Sequence, residues 1–379
     1  MASKYDRGRA LGEGTYALVY EAFRKTDRLP VAIKRMKGEQ AVSPGVDFTG
    51  LREVKYLRLL SESANVVNLV DVFLTNDVLC LVLEFCPYNL EDIIRDKSIL
   101  LRTQHQKCYL QMLLRGVGCC HAHYVLHRDL KPANILFSRS GELKIADFGL
   151  ARTHSSPIKM TSEIATRWYR PPELLFGACF YSSGIDVWGV GCIFAEIILR
   201  TPFFPGDTDL EQLAKIFNIL GTPTTDNWPN VQLLPNFVEF EPRLPMDLIP
   251  LFDNTWKTDR QRHGQLQYPP ALDLMLKMLT LNPLKRISAK EVSSVYYRAP
   301  VVTNYNQIQS IPGNFDCALC YYFLIDIFLI ISILLSQALL HPYFSISPIA
   351  CDPSELPTPT PSVAAVTNED DRPNKKFKT

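Results

Sequence analysis

Residues 127–149 read HRDLKPANILFSRSGELKIADFG, and this stretch decides which fold and chemistry the chain is expected to have. Two polar motifs, HRD and DFG, flank a spacer whose apolar runs predict a strand, a turn and a second strand. Either motif alone would be weak evidence, because each also fits a solvated turn. Together they bring two carboxylates, a cation and an amide into one short unit: Asp129, Lys131, Asn134 and Asp147.

This pairing resembles the catalytic loop and the magnesium-binding loop of eukaryotic protein kinases. The resemblance implies that Asp129 orients and deprotonates a substrate hydroxyl, and that Lys131 offsets charge on the transferring phosphoryl group. It also implies that Asn134 and Asp147 ligate Mg²⁺ through oxygen, the donor atom that this hard cation prefers. None of the four departs from the kinase pattern, which disfavours a catalytically dead relative. His127 is expected to be a packed structural imidazole.

An N-terminal nucleotide lobe is indicated by the alternating β-rich runs and turn signals of residues 5–35. Gly12 and Gly14 in GEGTYALV would let backbone N–H groups approach phosphates, although two glycines alone also fit a hairpin turn. Ala17 stands where the kinase pattern has a third glycine. The resemblance implies a set of ATP-binding residues: Leu11, Gly12, Gly14, Val19, Lys34, Glu53, Glu84 and Cys86.

Lys34 ends the run VAIK, from which its ammonium could reach the α- and β-phosphates of ATP. A strand lysine that only extends its ammonium to solvent would give the same sequence pattern. A carboxylate partner is what distinguishes an ATP-binding lysine from it. Apolar residues at helical spacing in FTGLREVKYLRLL predict a helix. The kinase resemblance implies that Glu53 on this helix is the partner, although the residue alone would fit an ordinary solvated position. The apolar strand CLVLEF carries Leu83 at the position that resembles the kinase gatekeeper. Glu84 and Cys86 come after Leu83 as hinge residues, whose main-chain groups would bind adenine.

Composition sets broad limits on the class of protein. With 379 residues, 47% hydrophobic and 21% charged, the chain is long enough for two lobes and ordinary for an enzyme in water. Its 40 basic and 39 acidic residues give a net charge of +1, so no direct nucleic-acid partner is expected. The cysteines are scattered and the N-terminus lacks an apolar signal segment, which favours a reduced cytosolic or nuclear compartment.

Three further stretches narrow the resemblance to the cyclin-dependent kinases: GVDFTGLRE, ATRWYRPPELLFGA and PFFPGDTDLEQLAKIFNILGTP. The resemblance implies an α+β, bilobal kinase fold, with a β-rich N-lobe over residues 1–85 and a helical C-lobe over residues 86–345. It also implies a cyclin partner that docks on the helix carrying Glu53. Without the cyclin, this helix is expected to sit rotated, with Glu53 separated from Lys34.

The activation segment carries the regulatory residues that the family resemblance implies. Thr161 resembles the activating phosphothreonine. Three arginines stand where the family gathers guanidinium groups around that phosphate, a clamp that can order a loop: Arg52, Arg128 and Arg152. Ala165 and Arg170 resemble the pair that turns a backbone carbonyl away from the residue after the phosphoacceptor. Since proline has no N–H to lose, Ser-Pro and Thr-Pro substrates are predicted.

Two structural features of the C-lobe follow from the same resemblance. Glu173 in RPPELLFGA should form a buried ion pair with Arg286 in NPLKRIS. Asp186 in IDVWGVGC should brace the backbone of the catalytic loop.

Within the family, LVDVFLTNDVLCLVLEF, NLEDIIRDK and MLTLNPLKRISAK most resemble the cyclin-dependent-kinase-activating kinase of general transcription factor II H, especially its fungal forms. This resemblance implies a cyclin H-like partner and an assembly subunit of that factor. It implies two kinds of substrate, the C-terminal domain of RNA polymerase II and the activation loops of other cyclin-dependent kinases. YLQMLLRGVGCCHAHYVLHRDLKPANILF also resembles the cell-cycle-related kinase, so a kinase without a polymerase role stays open.

Residues 292–337 interrupt the C-lobe pattern. RISAKE reads as a capping box at Ser288, but an unrelated stretch follows before ALLHPYF supplies the expected final helix. Residues 318–335 reach transmembrane length, although Asp326 at their centre would cost about 2.5–3.5 kcal/mol. We favour a translated intron over a membrane anchor, because removal of the insertion joins RISAKE to ALLHPYF without a gap. If present, the insertion could leave a noncatalytic, cyclin-binding scaffold.

The C-terminal residues 346–379 are rich in proline and polar residues, which predicts a disordered tail. A cluster of lysines near its end fits either a nuclear signal or a solvated tail: Lys375, Lys376 and Lys378. A nuclear location, with some of the protein in the cytoplasm, is expected.

Overall fold

The computed structural model describes residues 4–14, 17–37, 48–154, 166–252, 270–287 and 338–359. These residues form the two lobes of the predicted α+β kinase fold. The N-lobe is a five-stranded antiparallel sheet in the order β1-β2-β3-β5-β4 with one helix. Its elements are β1 (Tyr5–Glu13), β2 (Ala17–Arg24), β3 (Pro30–Met36), α1 (Phe48–Leu59), β4 (Leu69–Thr75) and β5 (Val78–Glu84).

The alternation of side chains along β3 decides where its lysine points. Val31 and Ile33 pack on one face of the sheet in a small separate core. Ala32 and Lys34 therefore point to the opposite face, and Ala32 joins the main core there. Helix α1 covers that face through the fully buried Leu57. The β3 lysine is thus directed towards α1 by strand geometry alone.

The C-lobe is helical, with short strands near its junction with the N-lobe. Its helices are α2 (Leu90–Arg95), α3 (Thr103–Ala122), α4 (Pro172–Leu175), α5 (Gly184–Leu199), α6 (Asp209–Leu220), α7 (Pro270–Met278) and α8 (Pro342–Ser345). Its strands are β6 (Tyr88–Asn89), β7 (Val125–Leu126), β8 (Ile135–Phe137), β9 (Leu143–Ile145) and β10 (Arg152–Thr153). Helix α5 is apolar apart from Asp186 and Glu196 and is buried along almost its whole length, so it forms the centre of the lobe.

The predicted ion pair between Glu173 and Arg286 is present and buried. The two guanidinium nitrogens Nη1 and Nη2 of Arg286 lie 2.7 and 3.0 Å from the two carboxylate oxygens of Glu173. Arg286 also donates to the carbonyl oxygens of Gly184 and Thr280. The pair therefore ties α4 to the start of α5 and to the turn after α7.

The sequence after the insertion completes the C-lobe as expected. Ala338 is fully buried, and the ring of Tyr343 in α8 lies 5.6 Å from that of Phe194 in α5. His341 bonds through Nε2 to Oδ2 of Asp273 in α7, at 2.7 Å. The insertion itself, residues 292–337, lies outside the described residues.

The prediction of a disordered tail from residue 346 is wrong for residues 346–359. The backbone N–H of Cys351 donates to the carbonyl oxygen of Gln104 in α3, and Lys107 of the same helix donates to that of Ile346. Leu356 is buried in the main core. An apolar anchor and two α3 contacts hold this segment although its composition is polar and proline-rich. Residues 360–379 lie outside the described residues.

Within the six described ranges, none of the helices has the length and apolarity needed to cross a bilayer.

Candidate active site

The catalytic loop follows β7, and a buried carboxylate accepts hydrogen bonds from its backbone. Asp186 of α5 accepts the backbone N–H groups of His127 and Arg128, at 2.9 and 2.8 Å. Its Oδ2 also lies 2.9 Å from Nε2 of His121. Burial raises the pKa of Asp186, but the hydrogen bond and charge of His121 outweigh it and hold the pKa below its ordinary value. The predicted bracing role of Asp186 is confirmed.

His127 packs as a structural residue, as predicted. Its Nε2 lies 3.0 Å from the carbonyl oxygen of Ala146, and its Nδ1 accepts the backbone N–H of Asp129 at 3.2 Å. The imidazole meets the ring of Phe148 edge-on, with centroids 4.8 Å apart. His127 therefore links the HRD and DFG motifs, and both of its nitrogens are engaged in doing so.

Asp129 lies at the centre of a polar cluster. Its Oδ2 lies 2.9 Å from Nζ of Lys131 and 3.1 Å from Nδ2 of Asn134. Its Oδ1 accepts both the backbone N–H and the hydroxyl of Thr166, at 3.0 and 3.2 Å. Lys131 also donates to the Thr166 hydroxyl at 3.2 Å. These bonds fix the carboxylate that the sequence predicts as the proton acceptor.

Thr166 is a site residue that the sequence analysis missed. It lies 37 residues beyond Asp129, and no local spacing links the two. The signal available was its place in ATRWYRPPELLFGA, a stretch already used for the family resemblance.

Asp147 of the DFG motif has a left-handed backbone, at φ 66° and ψ 67°. The backbone N–H of Ala146 donates to the carbonyl oxygen of Asn134 at 3.0 Å, which holds Asp147 beside Asn134. The amide of Asn134 donates to Asp129, which leaves its side-chain oxygen as the donor atom for a cation. An amide oxygen and a carboxylate suit a hard divalent cation.

Lys34 joins three elements at the lobe junction. Its Nζ lies 2.7 and 2.9 Å from the two carboxylate oxygens of Glu53, and 2.8 Å from Oδ1 of Asp147. Burial would lower the pKa of Lys34, but the charges of Glu53 and Asp147 raise it above its ordinary value. Burial likewise raises the pKa of Asp147, and Lys34 more than offsets this and lowers it. The ammonium of Lys34 and the carboxylate of Asp147 are therefore both charged at neutral pH.

The expected separation of Glu53 from Lys34 in the chain without a cyclin is not what the structure has. Helix α1 lies with Glu53 fully buried against the lysine. Arg52 donates from Nη1 to the carbonyl oxygen of Gly149 at 2.8 Å, and Tyr56 bonds to the hydroxyl of Thr153 at 3.0 Å. These contacts with the DFG turn and β10 hold the helix inward.

The glycine-rich hairpin leaves its backbone open, as a phosphate-binding loop requires. A methyl group added at Gly12 would meet nothing within 4 Å, and at Gly14 only a carbonyl oxygen at 3.8 Å. The N–H of Gly14 donates to the carbonyl oxygen of Ala17 at 2.8 Å and closes the turn. Ala17 is buried, which explains a side chain where the pattern has glycine. Leu11 and Val19 lie on the two strands of this hairpin.

The hinge begins where β5 ends, at Glu84. Its backbone N–H donates to the carbonyl oxygen of Asn68 at 2.9 Å, and its Oε1 accepts the Asn68 N–H at 2.7 Å. Burial raises the pKa of Cys86 to about 12, so its thiol is neutral at physiological pH. Leu83, at the predicted gatekeeper position, is buried before the hinge.

Two of the three predicted clamp arginines converge on the turn after DFG. Arg52 donates to the carbonyl oxygen of Gly149, as described above, and Arg128 donates from Nε to that of Leu150 at 2.7 Å. Arg152 follows in β10 and is exposed. Thr161 and Ala165 lie outside the described residues.

The geometry defines the class of protein, and comparison with known proteins agrees. A model of the protein kinase domain family matches residues 5–298. The chain is 42% identical over 297 residues to serine/threonine-protein kinase KIN28 of Saccharomyces cerevisiae, covering 78% of this chain and 94% of that protein. It is 44% identical over 292 residues to cyclin-dependent kinase 7 of Dictyostelium discoideum, covering 76% and 78%.

Among solved structures, the chain resembles one of the CAK complex from Chaetomium thermophilum bound to ATP-γ-S. The TM-score is 0.74 and the identity 35%, covering 93% of this chain and 94% of that one. The chain therefore belongs to the protein kinases, and within them to the cyclin-dependent serine/threonine kinases. It is an ATP-dependent enzyme whose substrates are proteins.

Proposed function

We propose that this kinase, bound to a cyclin H-like subunit, phosphorylates Ser-Pro and Thr-Pro sites in the C-terminal domain of RNA polymerase II. We propose that it also phosphorylates the activation loops of other cyclin-dependent kinases. The observation that carries the proposal is the assembled cluster of Lys34, Asp129, Asn134 and Asp147 in a chain this similar to KIN28 and cyclin-dependent kinase 7.

The proposed roles of the residues follow from their contacts. Asn134 and Asp147 would hold Mg²⁺, which supplies charge neutralisation for the ATP phosphates. Lys34, oriented by Glu53, would bind the α- and β-phosphates. The substrate hydroxyl oxygen attacks the γ-phosphorus as its proton passes to Asp129, and the bond to ADP breaks. Lys131 would offset the charge on the transferring group.

Hydrogen bonds from three residues prepare the carboxylate of Asp129 for this step. Lys131 and Asn134 bond to Oδ2, and Thr166 bonds to Oδ1. A carboxylate held on both oxygens presents a fixed direction to the substrate hydroxyl and loses little entropy in the transition state.

The cyclin partner is supported by the surface of α1. Phe48, Leu51 and Leu59 expose 74%, 45% and 45% of their area on this helix. Such apolar side chains on one short helix favour a protein partner that covers them. Phosphorylation of Thr161 would place an anion for the three clamp arginines and order the activation segment. An assembly subunit of transcription factor II H and a location in the nucleus and cytoplasm complete the proposal.

The scaffold alternative predicts a C-lobe spoiled by the insertion. The packing of Ala338 and Tyr343 into the core favours an intact lobe instead. We therefore propose that the residues on the two sides of the 292–337 insertion together form a complete kinase.

The test is phosphate transfer from Mg-ATP to a peptide of Ser-Pro heptad repeats by the full chain, with and without a cyclin H-type subunit. We expect transfer above an Asp129→Asn blank that rises strongly with the cyclin. If the full chain is inactive and deletion of residues 292–337 restores transfer, the scaffold alternative holds for the full chain. Transfer to a cyclin-dependent kinase substrate but not to the heptad peptide would favour the kinase without a polymerase role.

A further inference from the structure

Residues 346–359, which we call the C-terminal strap, cross the first turns of α3 and the tip of the β8–β9 hairpin. The backbone N–H of Cys351 donates to the carbonyl oxygen of Gln104 at 3.4 Å. The strap passes so close to the hairpin that a side chain at Gly141 would collide with the carbonyl oxygen of Pro353. The strap, which follows the insertion, is therefore packed against two elements that precede it.

Two cysteines meet where the strap crosses α3. Cys108 lies one helical turn after Gln104, on the same face of the helix. Its thiol is hydrogen-bonded to the thiol of Cys351. Only 4% of Cys108 is exposed, whereas Cys351 is partly exposed. Both cysteines are free thiols in this structure, and contact between two thiols is the first condition for a disulfide.

The surroundings of the two thiols give them different reactivity. Burial raises the pKa of Cys108 to about 12, so this thiol keeps its proton at neutral pH. Burial also raises the pKa of Cys351, but the hydrogen bond with Cys108 opposes the rise, because the Cys108 thiol donates to the Cys351 thiolate. Cys351 is also the more exposed of the two. An oxidant from solvent therefore reacts first with Cys351, and Cys108 is in place to react with the product.

We infer that Cys108 and Cys351 form a disulfide when the protein meets hydrogen peroxide, and that this bond latches the strap to α3. The Cys351 thiolate attacks one peroxide oxygen, so that an S–O bond forms, the O–O bond breaks, and hydroxide leaves and is protonated to water. The sulfur of Cys108 then attacks the sulfenic sulfur of Cys351. The S–S bond forms, the S–O bond breaks, and the leaving hydroxide takes the Cys108 proton as water. Two thiols and one peroxide thus give one disulfide and two waters.

The latch would fasten the part of the chain that follows the insertion. A disulfide between Cys108 and Cys351 closes a loop that contains the whole insertion, which restricts the unfolded chain. In the folded protein it prevents the strap from leaving α3 by local unfolding. Neither cysteine belongs to the polar cluster around Asp129, so oxidation is expected to change stability and not catalysis. In a reduced compartment the dithiol is the resting form, and thiol exchange restores it after oxidation.

The test exposes the purified full chain to hydrogen peroxide, blocks the remaining thiols and digests the protein without reductant. We expect mass spectrometry to find two peptides joined through Cys108 and Cys351, lighter by two hydrogens than the separate peptides and released by dithiothreitol. The rate of joining should rise about tenfold from about pH 7 to about pH 8, because the thiolate is the reacting form. Amide hydrogen exchange across residues 346–359 should slow, and the unfolding midpoint should rise by about 5 °C.

Cys351→Ser removes the thiol that reacts first and should abolish the joined peptides and the rise in midpoint. Cys119→Ser is the matched control, because it removes a partly exposed thiol of the same helix and leaves the pair intact, so both effects should persist.

Three results would overturn the inference. In the first, Cys108 and Cys351 remain fully open to a thiol reagent after peroxide treatment of the unfolded digest. In the second, Cys351 joins several cysteines at similar yield, which shows that no pair is built. In the third, the two peptides are joined but exchange across the strap does not slow, so the bond does not act as a latch.

Discussion

Two buried ion pairs in this molecule have the same chemistry and different consequences. Lys34 and Glu53 meet at the junction of the lobes, with 12% and 0% of their side chains exposed. Arg286 and Glu173 meet inside the C-lobe, with 0% and 4% exposed. Both pairs are close enough for strong charge-assisted hydrogen bonds. Burial and distance therefore do not separate a functional pair from a structural one.

The other contacts of Lys34 and Arg286 distinguish the functional ion pair from the structural one. Lys34 also bonds to Asp147, so it joins β3, α1 and the DFG turn, three elements whose relative positions define the site. The remaining donors of Arg286 bond to carbonyl oxygens, and its guanidinium lies 5.0 Å from the ring of Trp188. The first pair aligns groups that must act together, and the second fills the hydrogen-bonding needs of a packed core.

Lys34→Arg tests the role of the first pair, because it keeps the charge and changes the shape of the side chain. Glu53 and Asp147 keep a cation, so the folded state is preserved. We expect kcat/KM to fall about 100-fold, because a guanidinium cannot occupy the position of the ammonium without moving the phosphates. The check is steady-state kinetics together with a thermal unfolding midpoint. A loss of stability with normal kinetics would reverse the roles of the two pairs.

Arg286→Lys is the matched change in the other pair. Lysine keeps the charge beside Glu173 but cannot reach both its oxygens and the carbonyls of Gly184 and Thr280. We expect the free energy of unfolding to fall by about 2 kcal/mol, because buried acceptors are left without donors. Denaturant titration measures this. The kcat of the protein that stays folded should change little, and a hundredfold loss of kcat would contradict a purely structural role for this pair.

The pair of His341 with Asp273 should have the smallest effect and a distinct pH dependence. Burial lowers the pKa of His341, although Asp273 partly opposes it. A histidine whose pKa is lowered on folding stabilises the protein above its ordinary pKa of about 6.5, and the stability is lost as pH falls below that value. We expect the unfolding midpoint to decline between pH 7.5 and 5.5. His341→Gln should show a smaller decline, and an identical one would exclude this pair as the cause.

The residues of the HRD and DFG motifs could be placed from the sequence because short segments fix their positions. His127, Asp129 and Asn134 lie in one loop, and Asp147 follows after a single hairpin, so spacing alone brings them together. Lys34 could be placed because strand alternation directs it towards the helix that carries its partner.

Features that depend on distant packing could not be read in this way. Thr166 reaches Asp129 only because the chain returns after 37 residues. The inward position of Glu53 depends on the contact of Arg52 with Gly149, across 97 residues. Composition predicted disorder for residues 346–359, but the burial of Leu356 against the core overrides it. In each case tertiary contacts outweigh local pattern.

The most direct measurement is the initial rate of phosphate transfer from Mg-ATP by the full chain with its cyclin subunit, compared with Asp129→Asn. The Asp129→Asn protein keeps the shape of the cluster and removes the proton acceptor. The site geometry predicts a rate for the wild-type chain at least about 100-fold above that of the variant. Equal rates from two folded proteins would contradict the assignment of Asp129 and, with it, a working phosphotransfer site.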